Sequence, residues 1–224
     1  MSETLPLEKV LKDIERDFEW RQNELFHARE LYLTSNSEIH KKIILRSLVM
    51  LLYAHFEGFT KFCLQSYIEA LKDMNICCHH IRSELIAYSL RQNFKSLMGK
   101  GSVQDRKKFV SEFREIFSSS LPLERMEIDT RSNLKSTVLS EIIEELGLEL
   151  PGGREAFFDK KITGNIDTVT NKRNAVAHGR GVSISSFEKY VELEKDVLFV
   201  LNQVVRIVEH NLSAKTYTIT DIAQ

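Results

Sequence analysis

Residues 48–59, Leu-Val-Met-Leu-Leu-Tyr-Ala-His-Phe-Glu-Gly-Phe, place apolar side chains on nearly every face of a helix. A surface helix shows one apolar stripe at the 3.6-residue period, so a segment that is apolar all round belongs inside a core. Its uninterrupted apolar run, 48–54, is far short of the ~20 residues that span a bilayer. The stretch therefore predicts the central helix of a helical bundle. Asn36 or Ser37 can cap its start, and the apolar pattern continues through Leu71. His55 and Glu57 stand inside it, and buried polar groups are costly unless paired. Either each satisfies a neighbour, or Glu57 orients a cationic site residue.

Working outward, Leu7, Leu11, Ile14, Phe18, Leu25, Ala28 and Tyr32 lay one stripe along a first helix ending near Ser35, interrupted by Arg21. A third helix is expected from about 79 to 97, carrying Ile81, Leu85, Tyr88 and Phe94 and closed by the turn at 99–102. A fourth presents Phe109, Phe113, Ile116 and Phe117 before a break at 118–122. Residues 123–135 read as irregular, polar and exposed. Ser136 and Thr137 cap a short helix with Leu139, Ile142, Ile143 and Leu146, stopped by Gly147. After the loop at 151–153, a helix is expected over 165–177 with Ile166, Val169 and Val176, closed by Gly179-Arg180-Gly181. A last long helix starts at a capping box of Ser185 and Glu188 and runs through Tyr190, Val197, Leu201, Val204 and Val208.

This is an all-α pattern: one domain over 1–212, with 98–160 inserted as shorter helices and loops, and a polar tail over 213–224 that is loose or meets a partner. Only 9 Gly and 3 Pro among 224 residues favour long helices over many short strands. With 42% hydrophobic and 28% charged residues the chain belongs with soluble globular proteins. The formal charge of -1 excludes a globally basic nucleic-acid binder, so any such contact must be local. The N-terminal 20 residues lack the apolar core of a signal peptide, and a cytoplasmic protein with no membrane partner is expected. Three cysteines give no disulfide framework. Cys77-Cys78-His79-His80 are metal-ligand types, but adjacent residues seldom converge on one ion; small buried thiols at a helix start are the alternative.

The chemistry-bearing stretch is Asn171-Lys172-Arg173-Asn174-Ala175-Val176-Ala177-His178-Gly179-Arg180. On a helix Asn174 and His178 share a face. Arg173 lies about 140° around from His178 and needs its length to reach the same cleft. No acidic residue occurs between Asp167 and Glu188, so Lys172, Arg173 and Arg180 form a positive patch in a near-neutral protein. The helix macrodipole and the neighbouring arginines act on His178 in opposite senses, which makes it a candidate general acid or base. An ordinary histidine at a helix end is the alternative.

The Arg173-Asn174-x-x-x-His178 pattern followed by Gly179 resembles the R-x4-H signature of the HEPN superfamily, and in particular the stand-alone MAE/RiboL-PSP-type HEPN-like nucleases of bacterial defence and toxin–antitoxin loci. The likeness extends to the LYAHFEGFTKF helix, the IDTRSNLKSTVLSEIIEELGL segment and the long closing helix. It implies an HEPN-like bundle with two long helices that forms a homodimer with facing motif helices. It also implies a metal-independent, cofactor-free RNase site in which Arg173, Asn174 and His178 are catalytic. The RNA 2′-OH would attack the adjacent phosphate and leave 2′,3′-cyclic phosphate ends. Lys172 and Arg180 are candidate RNA contacts, and Glu57 and Lys61 on the second helix are secondary candidates by position. An antitoxin or defence-system protein is the implied partner. HEPN toxins modified by a partner nucleotidyltransferase carry Tyr two residues after the His; Arg180 stands here, so that modification is not implied. Non-catalytic members serve instead as dimeric scaffolds or as RNA- or partner-binding modules.

Overall fold

The computed structural model describes residues 4–97, 102–117, 126–180 and 184–219. They form α1 (Thr4–Thr34), α2 (Glu38–Asp73), a 3-10 turn (Cys78–His80), α3 (Ser83–Ser89), α4 (Arg91–Leu97), α5 (Val103–Phe117), α6 (Ser136–Glu145), α7 (Arg154–Phe157), α8 (Lys160–Ala177) and α9 (Phe187–Ser213). Among the described residues the only β-type pairing is an isolated bridge between Ile81 and Thr218. The expected turn at Gly99, the break at 118–122, Gly181 and the tail from 220 lie outside them, as does the side chain of Ile116.

α2 is the central element. Leu48, Leu52, Phe56, Phe59, Leu64 and Leu71 are all but completely buried along it, each contributing about 1.5–3 kcal/mol of hydrophobic burial. Its apolar faces meet α1, α8 and α9. By length and mean hydropathy α2 is long and apolar enough to cross a membrane, and the part of it that packs on those neighbours is the buried stretch from Leu45 to Leu71. Ser37 caps α2 by accepting the N–H of His40. The three-residue link before α2 folds α1 back along it, with Phe18 stacked on Phe59 at 4.9 Å. At the far end of α1, Tyr32 stacks on Phe187 at 4.3 Å and so ties α1 to the start of α9.

Several elements differ from their sequence expectation. The helix expected over 79–97 is three pieces: a 3-10 turn around buried Cys78, then α3 and α4 divided at Leu90. There the Ser89 hydroxyl donates at 2.7 Å to the Ile86 carbonyl, which also accepts the Leu90 N–H at 3.1 Å. The segment before α6 is not exposed throughout. Met126, Ile128 and Leu134 are buried, and Gln65 of α2 brackets the strand-like stretch by donating to Met126 O (3.3 Å) and accepting from Ile128 N (3.2 Å). α8 begins at Lys160, five residues early, because Asp159 caps it by accepting from the N–H groups of Lys161 and Ile162. Ser186, not Ser185, caps α9. At α6 the cap is supplied from elsewhere: Ser136 donates its N–H and hydroxyl to Asp167 of α8.

The polar tail, expected to be loose or to meet a partner, is docked on the chain itself over 214–219. Tyr217 is buried, its carbonyl accepts from Arg82 N at 3.0 Å, and Ile219 N donates to His80 O at 2.9 Å. Cys77 Sγ sits 3.1 Å from His79 Nδ1 and Cys78 is buried; among the described residues no three His, Cys, Asp or Glu side chains converge as a metal set.

Candidate functional site

Helix α8 ends in a Schellman turn built by the motif itself. The N–H of Arg180 donates to Ala175 O at 2.9 Å and that of Gly179 to Val176 O at 3.0 Å, with Gly179 at φ 68° in the left-handed region. His178 is the capping residue, exposed at the helix end, and its backbone N–H donates to Asn174 O at 3.0 Å. Its ring has no hydrogen bond or ion pair to any described residue.

Arg173 points the other way, into the bundle. It is half-buried, and its Nη1 donates to Asn174 Oδ1 at 2.9 Å and to Asn133 Oδ1 at 3.0 Å. Its guanidinium carbon lies 4.6 Å from the centroid of the Tyr53 ring on α2. A cation partly withdrawn from water is ordinarily matched by a carboxylate. Here every hydrogen-bond partner among the described residues is a neutral amide oxygen, and none of those residues engages the Nε and Nη2 edge. That edge has the fork geometry that takes two oxygens of a phosphate.

The platform under Arg173 is fixed in turn. Tyr53 is buried, its hydroxyl accepts the N–H of Leu134 at 2.9 Å, and burial first, with Glu57 adding, pushes its pKa up to about 12, so it stays neutral. Glu57, one turn along α2, accepts from Thr130 Oγ1 at 2.8 Å. It therefore satisfies a neighbour and reaches Arg173 only through Tyr53 and the 130–134 loop, not by direct contact. Thr170 of α8 closes the circuit by donating its hydroxyl to Leu134 O at 3.0 Å.

The structure thus brings Arg173 and Asn174 into contact and leaves His178 separate at the helix end, with exposed Arg180 two residues beyond it and Lys172 half-buried beside Arg173. Lys61 is exposed one turn past Glu57. Tyr53, Thr130 and Asn133 were missed by sequence reasoning. Tyr53 is one more apolar residue of a core run, and Asn133 sits where no periodicity operates; only the family-like IDTRSN segment singled that region out.

A second polar cluster lies between α1 and α2. Arg21, the residue that interrupts the α1 stripe, pairs with Asp17 at 2.5 Å and reaches His55 Nδ1 at 3.3 Å. A side chain at Gly58 would meet Arg21 Nη1 at 3.1 Å, so glycine gives the guanidinium its berth. His55 Nε2 is 2.9 Å from Glu24 Oε2, a close contact without good hydrogen-bond alignment. This cluster pairs polar groups within the α1–α2 interface, and no hydrogen bond or ion pair among the described residues links it to Arg173.

Fold and motif together define a class, an all-α HEPN-type domain carrying Arg-Asn-x3-His at the end of a helix. The sequence pattern of the HEPN_MAE_28990-like HEPN family matches residues 10–217, nearly the whole chain, and the protein belongs to that family. No curated protein and no solved structure matches it. HEPN domains are in general nucleases or RNA-binding modules.

Proposed function

We propose that the protein is a metal-independent endoribonuclease that works as a homodimer with facing α8 ends. The observation that carries this is Arg173: half-buried, held by two neutral oxygens over Tyr53, and unpaired with any described carboxylate. Such a cation is preorganised for an anion. RNA supplies its own nucleophile, the 2′-OH, so the protein need supply only charge and proton transfer. One His178 takes the 2′-OH proton as that oxygen attacks phosphorus. The P–O5′ bond breaks, and the departing oxygen takes a proton from a second His178 contributed by the facing protomer. The products are a 2′,3′-cyclic phosphate and a 5′-hydroxyl. Arg173 stabilises charge on the phosphoryl oxygens, Asn174 holds Arg173, and Lys172 and Arg180 contact flanking phosphates. Glu57 supports the site from behind, and Lys61 extends the basic edge. The setting is cytoplasmic phage defence or a toxin system, with an antitoxin or defence protein as partner.

The test is incubation of total RNA in excess EDTA with wild type and with the Arg173→Ala/His178→Ala double variant. Cleavage by wild type alone, with the stated product ends, is expected. A folded wild type that leaves RNA intact would sink the nuclease reading. One observation favours a second reading, a non-catalytic RNA- or partner-binding module: no described residue orients the His178 ring by a hydrogen bond or ion pair. That reading predicts RNA retention on a filter without cleavage.

A further inference from the structure

Three elements meet at Arg173, and the one no motif announces is the turn at 129–134. It is heavily determined. Asp129 Oδ1 accepts the N–H of Arg131 at 2.9 Å, and Asn133 N donates to Thr130 O at 3.2 Å. Between them Arg131 (φ 52°) and Ser132 (φ 70°) both occupy the left-handed region that side-chain-bearing residues avoid. Consecutive strained residues persist only where the surroundings impose them, and such strain clusters at functional sites. The imposing contacts are present. Arg131 is clamped by Glu141 and Glu145 of α6, Thr130 by Glu57 of α2, and Leu134 by Tyr53 and Thr170. The product of all this fixing is one outward consequence: Asn133 Oδ1 stands 3.0 Å from Arg173 Nη1.

The residue type matters at that point. An aspartate would place a carboxylate oxygen in the same position and neutralise the guanidinium. An alanine would leave it resting on Tyr53 with its sequence neighbour Asn174 as the one remaining hydrogen-bond partner among the described residues. An asparagine anchors without neutralising. We propose that Asn133 is a positioning residue of the Arg173 site, anchoring the guanidinium through a neutral oxygen so that its full charge and its free edge are presented to an RNA phosphate. This rests on the RNA-cleaving reading of the same site and extends it to a residue 40 positions away in sequence.

The experiment compares wild type, Asn133→Asp and Asn133→Ala, with Arg173→Ala as the second arm of a double-mutant cycle. Asn133→Asp changes an amide nitrogen for an oxygen and keeps the shape, so a purely structural Asn133 would tolerate it. The expected result is a higher midpoint of thermal unfolding, from the new ion pair, that disappears in the Arg173→Ala background. RNA cleavage by the same variant falls at least about tenfold, in line with loss of a preorganised charge. The salt dependence of RNA oligonucleotide binding also becomes shallower, by roughly 0.7–0.9 in log–log slope for each phosphate that the protein no longer neutralises. Asn133→Ala gives reduced cleavage with no thermal gain. The proposal is overturned if Asn133→Asp cleaves and binds as wild type, or if its effect on unfolding is the same with and without Arg173. Should Asn133→Asp not fold, wild-type cleavage by Asn133→Ala overturns it equally. If wild type itself does not cut RNA, the nuclease reading fails alone. The thermal cycle and the salt slope then decide for or against Asn133.

Discussion

The guanidinium of Arg173 lies 4.6 Å above the centre of the Tyr53 ring, and the Tyr53 hydroxyl in turn accepts the backbone N–H of Leu134. One side chain of the core helix thus supports both the cation and the loop that brings Asn133 to it. Tyr53→Phe keeps the ring but leaves the buried Leu134 N–H without its acceptor. It should lower stability by about 1–2 kcal/mol in urea unfolding while leaving RNA binding largely intact. Tyr53→Leu removes the aromatic face as well and should weaken RNA binding and cleavage, which separates the two roles.

Arg173→Lys tests whether charge alone suffices. Lysine brings a point charge on a flexible stem and cannot donate through a planar fork, rest on Tyr53 and reach two amide oxygens at once. Since Arg173 has no carboxylate partner among the described residues, its replacement leaves no orphaned acid behind. The variant should unfold within about 1 kcal/mol of wild type, as for substitutions that break no buried pair. Cleavage of end-labelled RNA should nonetheless fall by about 100-fold or more. Near-wild-type cleavage by the lysine variant would count against the forked geometry.

The parts of the fold legible in the sequence are those where burial imposes a period. α2 and α9 announce themselves because Leu48, Leu52 and Phe56, or Val197, Leu201, Val204 and Val208, recur at helical spacing and are buried in the structure. The division of α3 from α4 is not legible, since no Gly or Pro marks it; at the break the Ile86 carbonyl accepts from both the Leu90 N–H and the Ser89 hydroxyl. α8 starts earlier than expected because its first turn offers a single half-buried apolar residue, Ile162, too little to show a period, and the Asp159 cap marks where it begins. At the site, Arg173, Asn174 and His178 could be named from their spacing. The direct contact of Arg173 with Asn174 could not, because neighbours in sequence point about 100° apart on a helix and only a long side chain folding back joins them. Asn133 and Thr130 were invisible for a different reason. Their positions depend on tertiary contacts to Tyr53, Glu57 and Thr170 that leave no periodic trace.

Gly179 offers a test of how the end of α8 is held. Its φ of 68° is required by the turn that closes the helix, yet a methyl group there would meet no described residue within 4 Å. The penalty of Gly179→Ala is therefore conformational alone, about 1 kcal/mol, readable in urea unfolding. The substitution also loosens the last turn, where His178 sits, so RNA cleavage should fall by more than the stability loss explains.

The α1–α2 interface should make stability depend on pH. Burial, first, and the Arg21 guanidinium hold the His55 imidazole below its usual value of 6.5, outweighing the opposite pull of Glu24 and Asp17. A histidine whose folded pKa is depressed binds fewer protons folded than unfolded. Its contribution is therefore fully present above pH 6.5 and is lost as pH falls from there toward the folded value. Urea midpoints of wild type should decline between pH 7 and 5. In His55→Gln, less stable at pH 7 because Arg21 loses an aligned acceptor, the decline should be shallower. Equal slopes for both proteins would show that His55 is not the titrating group.

Mixing experiments address the proposed sharing of His178 between two protomers. If one cleavage site draws on both histidines, a dimer containing a single His178→Ala chain is inactive, whereas two independent sites would leave it half active. Wild type and His178→Ala are mixed at constant total protein, denatured, refolded together so that subunits randomise, and assayed on RNA. At equal proportions only about a quarter of dimers are wild type on both sides under random pairing of a two-fold assembly, so shared chemistry predicts roughly a quarter of the unmixed rate. Independent sites predict about half. A rate that follows the square of the wild-type fraction over the whole range supports two histidines in one site. A linear dependence removes the facing protomer from the mechanism and makes the single chain, with Arg173 and its own His178, the unit that must account for both proton transfers.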